Sequence, residues 1–199
     1  MASNAVEMAA VPVAQALSQS ELDRARLYLE QTKVLIGGAL RNLSQAQWNY
    51  KPSPDRWSIA EIVEHVIFVQ EQVLGPIREK LESAPVTPVR PDCKQVDDVI
   101  IYQIPSRLAK FPSPAQPSGG LGLAEALDRL PANYGRLAER LEKTPGLRER
   151  SIESRPLRAI SNGAYDMMDG YQWILAVAAH TERHTKQVVE LMADPGFPV

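Results

Sequence analysis

The chain has 199 residues, 22 Lys and Arg against 24 Asp and Glu, and 44% hydrophobic residues. A chain of this size buries roughly 70% of its unfolded surface in one domain. Its one cysteine, Cys93, excludes an internal disulfide and a cysteine-clustered zinc module. A net charge of -2, with basic residues interspersed among acidic ones, disfavours nucleic acid as a partner.

The opening MASNAVEMAAVPVAQA lacks a basic start and carries Glu7. Residues 1–17 therefore read as a flexible N-terminus of a cytoplasmic protein, with the folded domain over 18–199. No apolar run approaches the ~18 residues of a membrane span, so no membrane partner is expected.

From Ser20 to Leu43, the residues Leu22, Ala25, Leu29, Ile36, Ala39, Leu40 and Leu43 recur mostly at three- and four-residue steps, the period of an amphipathic helix. Ser20 with Asp23, or Ser18 with Glu21, can cap its start. Gly37 and Gly38 weaken this helix, and a close helix contact would be their compensation. A linker, QAQWNYKPSPDRW, leads to the clearest helix start in the chain. There Ser58 is the N-cap, Glu61 completes a capping box, and Trp57 can staple against Ile62. The helix IAEIVEHVIFVQEQVLGPIREKLES follows, with Gly75 and Pro76 as a kink.

Residues 84–120 hold seven of the sixteen prolines and read as one long covering loop. A helix resumes near Leu121 with Pro131 as a kink, and RERSIESRPLRAISNG is irregular. A last helix covers about Tyr165 to Met192 and stops before Pro195. With no period-two strand, the pattern predicts an all-α four-helix bundle with a long crossover connection.

Trp173, Val177, His180, His184 and Leu191 line one stripe of the last helix, and His65 holds a similar inward place on the second. Imidazoles four residues apart can turn toward one ion, and a third from a facing helix would complete a three-histidine face with open positions. The competing reading is three hydrogen-bonded boundary histidines. Against it, a buried cluster of unpaired imidazoles is costly, whereas one divalent cation satisfies all three. HTERH is not a zinc-protease motif, because Glu182 lies two residues after His180 and about 200° round the helix, facing outward. Trp48, Tyr50, Trp57 and Trp173 are candidates for a pocket wall or for core. Cys93 reads as a surface thiol and Arg183 as an exposed helical residue.

The stretches LSQAQWNYKPSPDRWSIAEIVEHV and AAHTERHTKQVVELM resemble the DinB/YfiT-like superfamily of four-helix-bundle metalloenzymes. Trp57-Ser58, Glu61, His65, His180, Arg183, His184 and Gln187 carry the resemblance, and RLAKFPSPAQPSGG is similar to the family's proline-containing crossover. The resemblance implies a bundle, often dimeric, with a divalent ion, commonly zinc or nickel, held by His65, His180 and His184. It also implies chemistry with low-molecular-weight thiols in some members.

The function expected is that of a metal-dependent enzyme, a thiol-dependent S-transferase or a hydrolase, acting on a small-molecule substrate by activating a small thiol or water. The alternative is a bundle that binds a metal or small ligand without turnover. Glu61 and Gln187 are candidates to orient the rings of His65 and His184.

Overall fold

In the computed structural model, which describes residues 15–106 and 116–199, the elements run α1 (Gln19–Ala39), α2 (Gln45–Asn49), α3 (Ile59–Leu74), α4 (Pro76–Ser83), α5 (Cys93–Gln103), α6 (Leu123–Lys143), β1 (Ser151–Glu153), α7 (Arg155–Ile160), β2 (Met167–Asp169) and α8 (Gly170–Met192). Most of the N-terminus expected to be flexible (residues 1–14) and part of the proline-containing crossover (107–115) lie outside the described residues.

Four long helices, α1, α3, α6 and α8, form the bundle, as the apolar periodicity predicts. Around the core the neighbours are α1–α8, α8–α3, α3–α6 and α6–α1. Side-chain contacts give the directions. Tyr171 Oη donates to Glu21 O, and Tyr28 Oη to Glu182, so α1 and α8 run parallel. Gly119 N, before α6, donates to Glu64, and Arg129 pairs with Glu71, so α3 and α6 are also parallel. Arg26 meets Glu142 and Tyr134 meets Thr32, making α1 and α6 antiparallel. A parallel pair cannot be joined by a tight turn. The α3 to α6 connection must return the length of the bundle, and α4 and α5 lie along that return.

The helix starts follow local chemistry. Ser18, not Ser20, caps α1, with Glu21 completing the box. The same reciprocal arrangement starts α3 at Ser58 with Glu61 and α8 at Asp169 with Gln172. A further box, Ser44 with Gln47, builds α2 inside the stretch read as linker, and it carries Trp48 fully buried with its indole N–H on Leu121 O.

Several elements differ from the sequence reading. Gly75 and Pro76 end one helix and start another. Gly75 leaves the helical region (φ -117°, ψ -99°) after its N–H closes on Glu71 O, and Pro76 lacks the donor needed to continue. Residues 84–120 are not a loop throughout. Between Pro91 and Pro105 lies a proline-free window that forms α5, which buries Val96 and Ile100. Proline density taken over the whole stretch hides that window.

The irregular segment before the last helix holds a two-stranded antiparallel pairing, Ser151 opposite Asp169 and Glu153 opposite Met167. Three-residue strands are too short to show a period of two. Because β2 takes residues up to Asp169, α8 starts at Gly170 rather than near Tyr165. α6 runs through Pro131 without interruption. Gly37 and Gly38 make no close helix contact, since a Cβ at either would meet nothing within 4 Å.

One buried cation ties the bundle's end together. Arg148, 5% exposed, donates to Glu21 at the start of α1, to both oxygens of Asp97 on α5 and to Asp169, the N-cap of α8. Its guanidinium also lies 4.1 Å from the ring centroid of Tyr171. Next to it, Gly170 N donates to Leu147 O at 2.8 Å, and a Cβ on Gly170 would stand 3.1 Å from that oxygen.

Removing one partner of a buried charge network leaves the others uncompensated, so Arg148→Ala should lower stability by about 3–5 kcal/mol. Gly170→Ala should lower it by about 1–3 kcal/mol through overpacking. Urea unfolding followed by circular dichroism measures both, with a lower midpoint expected in each variant.

Candidate metal centre

The antiparallel packing of α3 on α8 brings together the three histidines that the sequence places on inward seams. Ser58 and Asp169 fix where the two helices begin, and hence which faces meet. His65 and His184 are buried and His180 is half-buried. His65 Nε2 lies 3.1 Å from His180 Nε2, and one ring nitrogen from each of the three histidines lies within 4.8 Å of the others. The ring centroids are 4.4–4.9 Å apart.

This geometry accepts a divalent ion. Zinc–imidazole bonds of ~2.05 Å at tetrahedral angles set adjacent nitrogens about 3.3 Å apart. The 3.1 Å His65–His180 separation is close to that value. Two of the rings are also in the right charge state. Burial pushes His65 down to about 4, and burial reinforced by His184, His65 and Arg183 holds His180 well below the usual histidine range. Both are neutral at pH 7, with a lone pair to offer.

The surrounding side chains orient the rings unequally. His184 Nδ1 lies 2.9 Å from Gln187 Oε1, an acceptor, so this nitrogen carries the proton. Gln187 thus sits where the sequence places a supporting residue. Glu61 does not contact His65. Its oxygens take the Ser58 N–H at 2.7 Å and Lys51 Nζ at 2.9 Å. The next carboxylate on α3, Glu64, accepts from Ser118 and Gly119.

Two polar residues of the HTERH segment differ from expectation. Glu182 faces α1, where Tyr28 Oη donates to it at 2.8 Å and Lys186 pairs with it. The outward reading fails because α1 covers that side of α8. Arg183 is buried rather than exposed, and its guanidinium donates to the carbonyls of Ile104 and Ser106 after α5. Helical periodicity within α8 cannot reveal this, because the covering segment is remote in sequence.

The aromatic candidates separate. Trp48 is core, and Tyr50 donates to Asp194. Trp57 lies against the histidines, its ring 5.2 Å from His65 and 6.4 Å from His184. Trp173 is half-buried with its indole N–H unpartnered among the described residues. Cys93 is only partly accessible, and burial pushes its thiol above the usual range, which makes it a poor nucleophile.

No helix among the described residues is long and apolar enough to cross a membrane. The chain is similar to the uncharacterized protein YuaE of Bacillus subtilis (strain 168), with 24% identity over 155 residues that cover 76% of this chain and 87% of that protein. No solved structure matches it. A family model matches residues 28–188, a span that takes in all three histidines, the whole of α3 and α6 and parts of α1 and α8, and the chain belongs to the DinB superfamily.

Proposed function

We propose that this chain, folding as one unit over residues 18–199, is a metal-dependent enzyme of the cytoplasm. In this reading His65, His180 and His184 hold one divalent ion, zinc or nickel, for transfer of a small thiol to an electrophilic substrate or for hydrolysis. The observation that carries it is the convergence of three imidazoles from α3 and α8, one ring nitrogen of each within 4.8 Å of the others. Bound there, a divalent ion not neutralised by its protein ligands would lower the pKa of a thiol or water.

The protein's own part is to fix and shield. Gln187 sets the tautomer of His184, and the aromatic wall of Trp57 keeps water from one side of the cluster. Arg183 holds the segment after α5 through the Ile104 carbonyl, and burial, with the neighbouring histidines and Arg183 adding to it, keeps the His180 ring unprotonated. The free thiol of Cys93 accords with a reducing compartment.

A second reading, a bundle that binds a metal or small ligand without turnover, is favoured by one feature. The two carboxylates of α3 nearest His65 are both committed elsewhere, Glu61 to Lys51 and Ser58, and Glu64 to Ser118 and Gly119. A screen of small thiols with electrophilic acceptors and esters separates the two readings. Metal-dependent turnover supports the enzyme, and its absence on every acceptor supports the binder.

Elemental analysis of purified protein should find one zinc or nickel per chain, and His180→Ala should lose it while remaining helical. A metal-free wild type would remove the proposal. Gln187→Ala should weaken zinc binding about 10- to 100-fold, read by competition with a chelator. We also propose a homodimer, supported by the exposed Leu27, Val34 and Leu35 of α1. Light scattering at micromolar concentration should give twice the chain mass, and a monomer would refute it.

A further inference from the structure

His65 and His184 differ in what their second ring nitrogen meets. His184 Nδ1 has the amide oxygen of Gln187. His65 Nδ1 is buried and has no hydrogen-bond partner among the described residues. An unsatisfied buried donor or acceptor costs about 1–3 kcal/mol, so this atom requires an explanation.

The indole of Trp57 lies against that ring, with centroids 5.2 Å apart and planes tilted by 55°. The same indole lies nearly parallel to His184, at 21° and 6.4 Å. Trp57 directly precedes the N-cap Ser58, so the start of α3 fixes its place. An aromatic face is electron-rich, attracting an N–H and repelling a lone pair. That asymmetry selects the tautomer. With the proton on Nε2, the buried Nδ1 lone pair of His65 would have no donor to meet it. With the proton on Nδ1, the adjacent indole offers that N–H a π face, and Nε2 can accept from His180 Nε2 at 3.1 Å.

Resting on the reading of these histidines as metal ligands, we propose that Trp57 is a positioning residue of the metal centre. Its indole face receives the Nδ1–H of His65, keeping the Nε2 lone pair of that ring for the ion, and the same indole braces His184. Trp57 thereby does for His65 what Gln187 does for His184. The sequence offers Trp57 as a hydrophobic staple at the start of α3 or as a pocket wall, not as the partner of a particular histidine.

The test uses full-length protein labelled with 15N-histidine, first metal-free and then with zinc alone. In the metal-free wild type, His65 should be the Nδ1–H tautomer, and that proton should resonate upfield of the His184 Nδ1–H because of the indole ring current. Trp57→Leu should move it downfield and raise the zinc dissociation constant about 10- to 100-fold, the usual cost of losing an outer partner of a ligand histidine. Trp57→Phe, which keeps an aromatic face, should leave the resonance between the two positions with zinc affinity near wild type.

An Nε2–H tautomer in the metal-free wild type overturns the proposal, as does a resonance that moves in neither variant. If Trp57→Leu does not fold, Trp57→Phe decides, and an unmoved resonance there overturns it. Wild-type protein that takes up no zinc or nickel refutes the metal reading instead, and the metal-free spectra still judge the contact itself.

Discussion

The arrangement of the bundle depends on one buried guanidinium. Arg148 gathers carboxylates from the start of α1, from α5 and from the N-cap of α8, so three segments far apart in sequence share one counter-charge. Charges taken out of water this completely are tolerated only when every partner is in place. The network therefore specifies one arrangement of these segments. Asp169 serves twice, capping α8 through Gln172 N and pairing with Arg148, so the cation also fixes where α8 begins.

That starting point reaches the histidines through helix geometry. His180 lies eleven residues along α8 from Asp169, about 16 Å at 1.5 Å per residue, and its azimuth follows from the register set at the cap. α3, started by its own capping box at Ser58, packs antiparallel to α8 and supplies His65. The centre is assembled from two rigid helices rather than from loops. Three imidazoles packed together at this depth would be an unfavourable core without a shared partner, which a divalent ion would provide.

Much of this was legible in the residues. The apolar steps of α1, α3, α6 and α8 mark a bundle, and Ser58-Glu61 marks one helix start by local chemistry alone, whereas for α1 local chemistry leaves Ser18-Glu21 and Ser20-Asp23 open. The four-residue spacing of His180 and His184 is enough to put both on one side of a helix. α5 was hidden because prolines on either side dominate the composition, and its helix depends on burying Val96 and Ile100. The β1–β2 pairing was hidden because a three-residue strand is defined by its partner rather than by its own pattern. Glu182 and Arg183 were misplaced because α1 and the segment after α5 cover faces of α8 that its periodicity alone cannot describe.

The sequence by itself determined the helix count of the bundle, the cap of α3, the family resemblance and the candidacy of all three histidines, because each depends on interactions within a turn or two of chain. Only the tertiary structure decided that His65 meets His180 and His184, that Gln187 hydrogen-bonds His184 while Glu61 is held by Lys51 and Ser58, and that Trp57 lies on the histidines. Those are contacts between helices whose relative direction and register are set by buried groups remote in sequence, Arg148 foremost, and no local spacing encodes them.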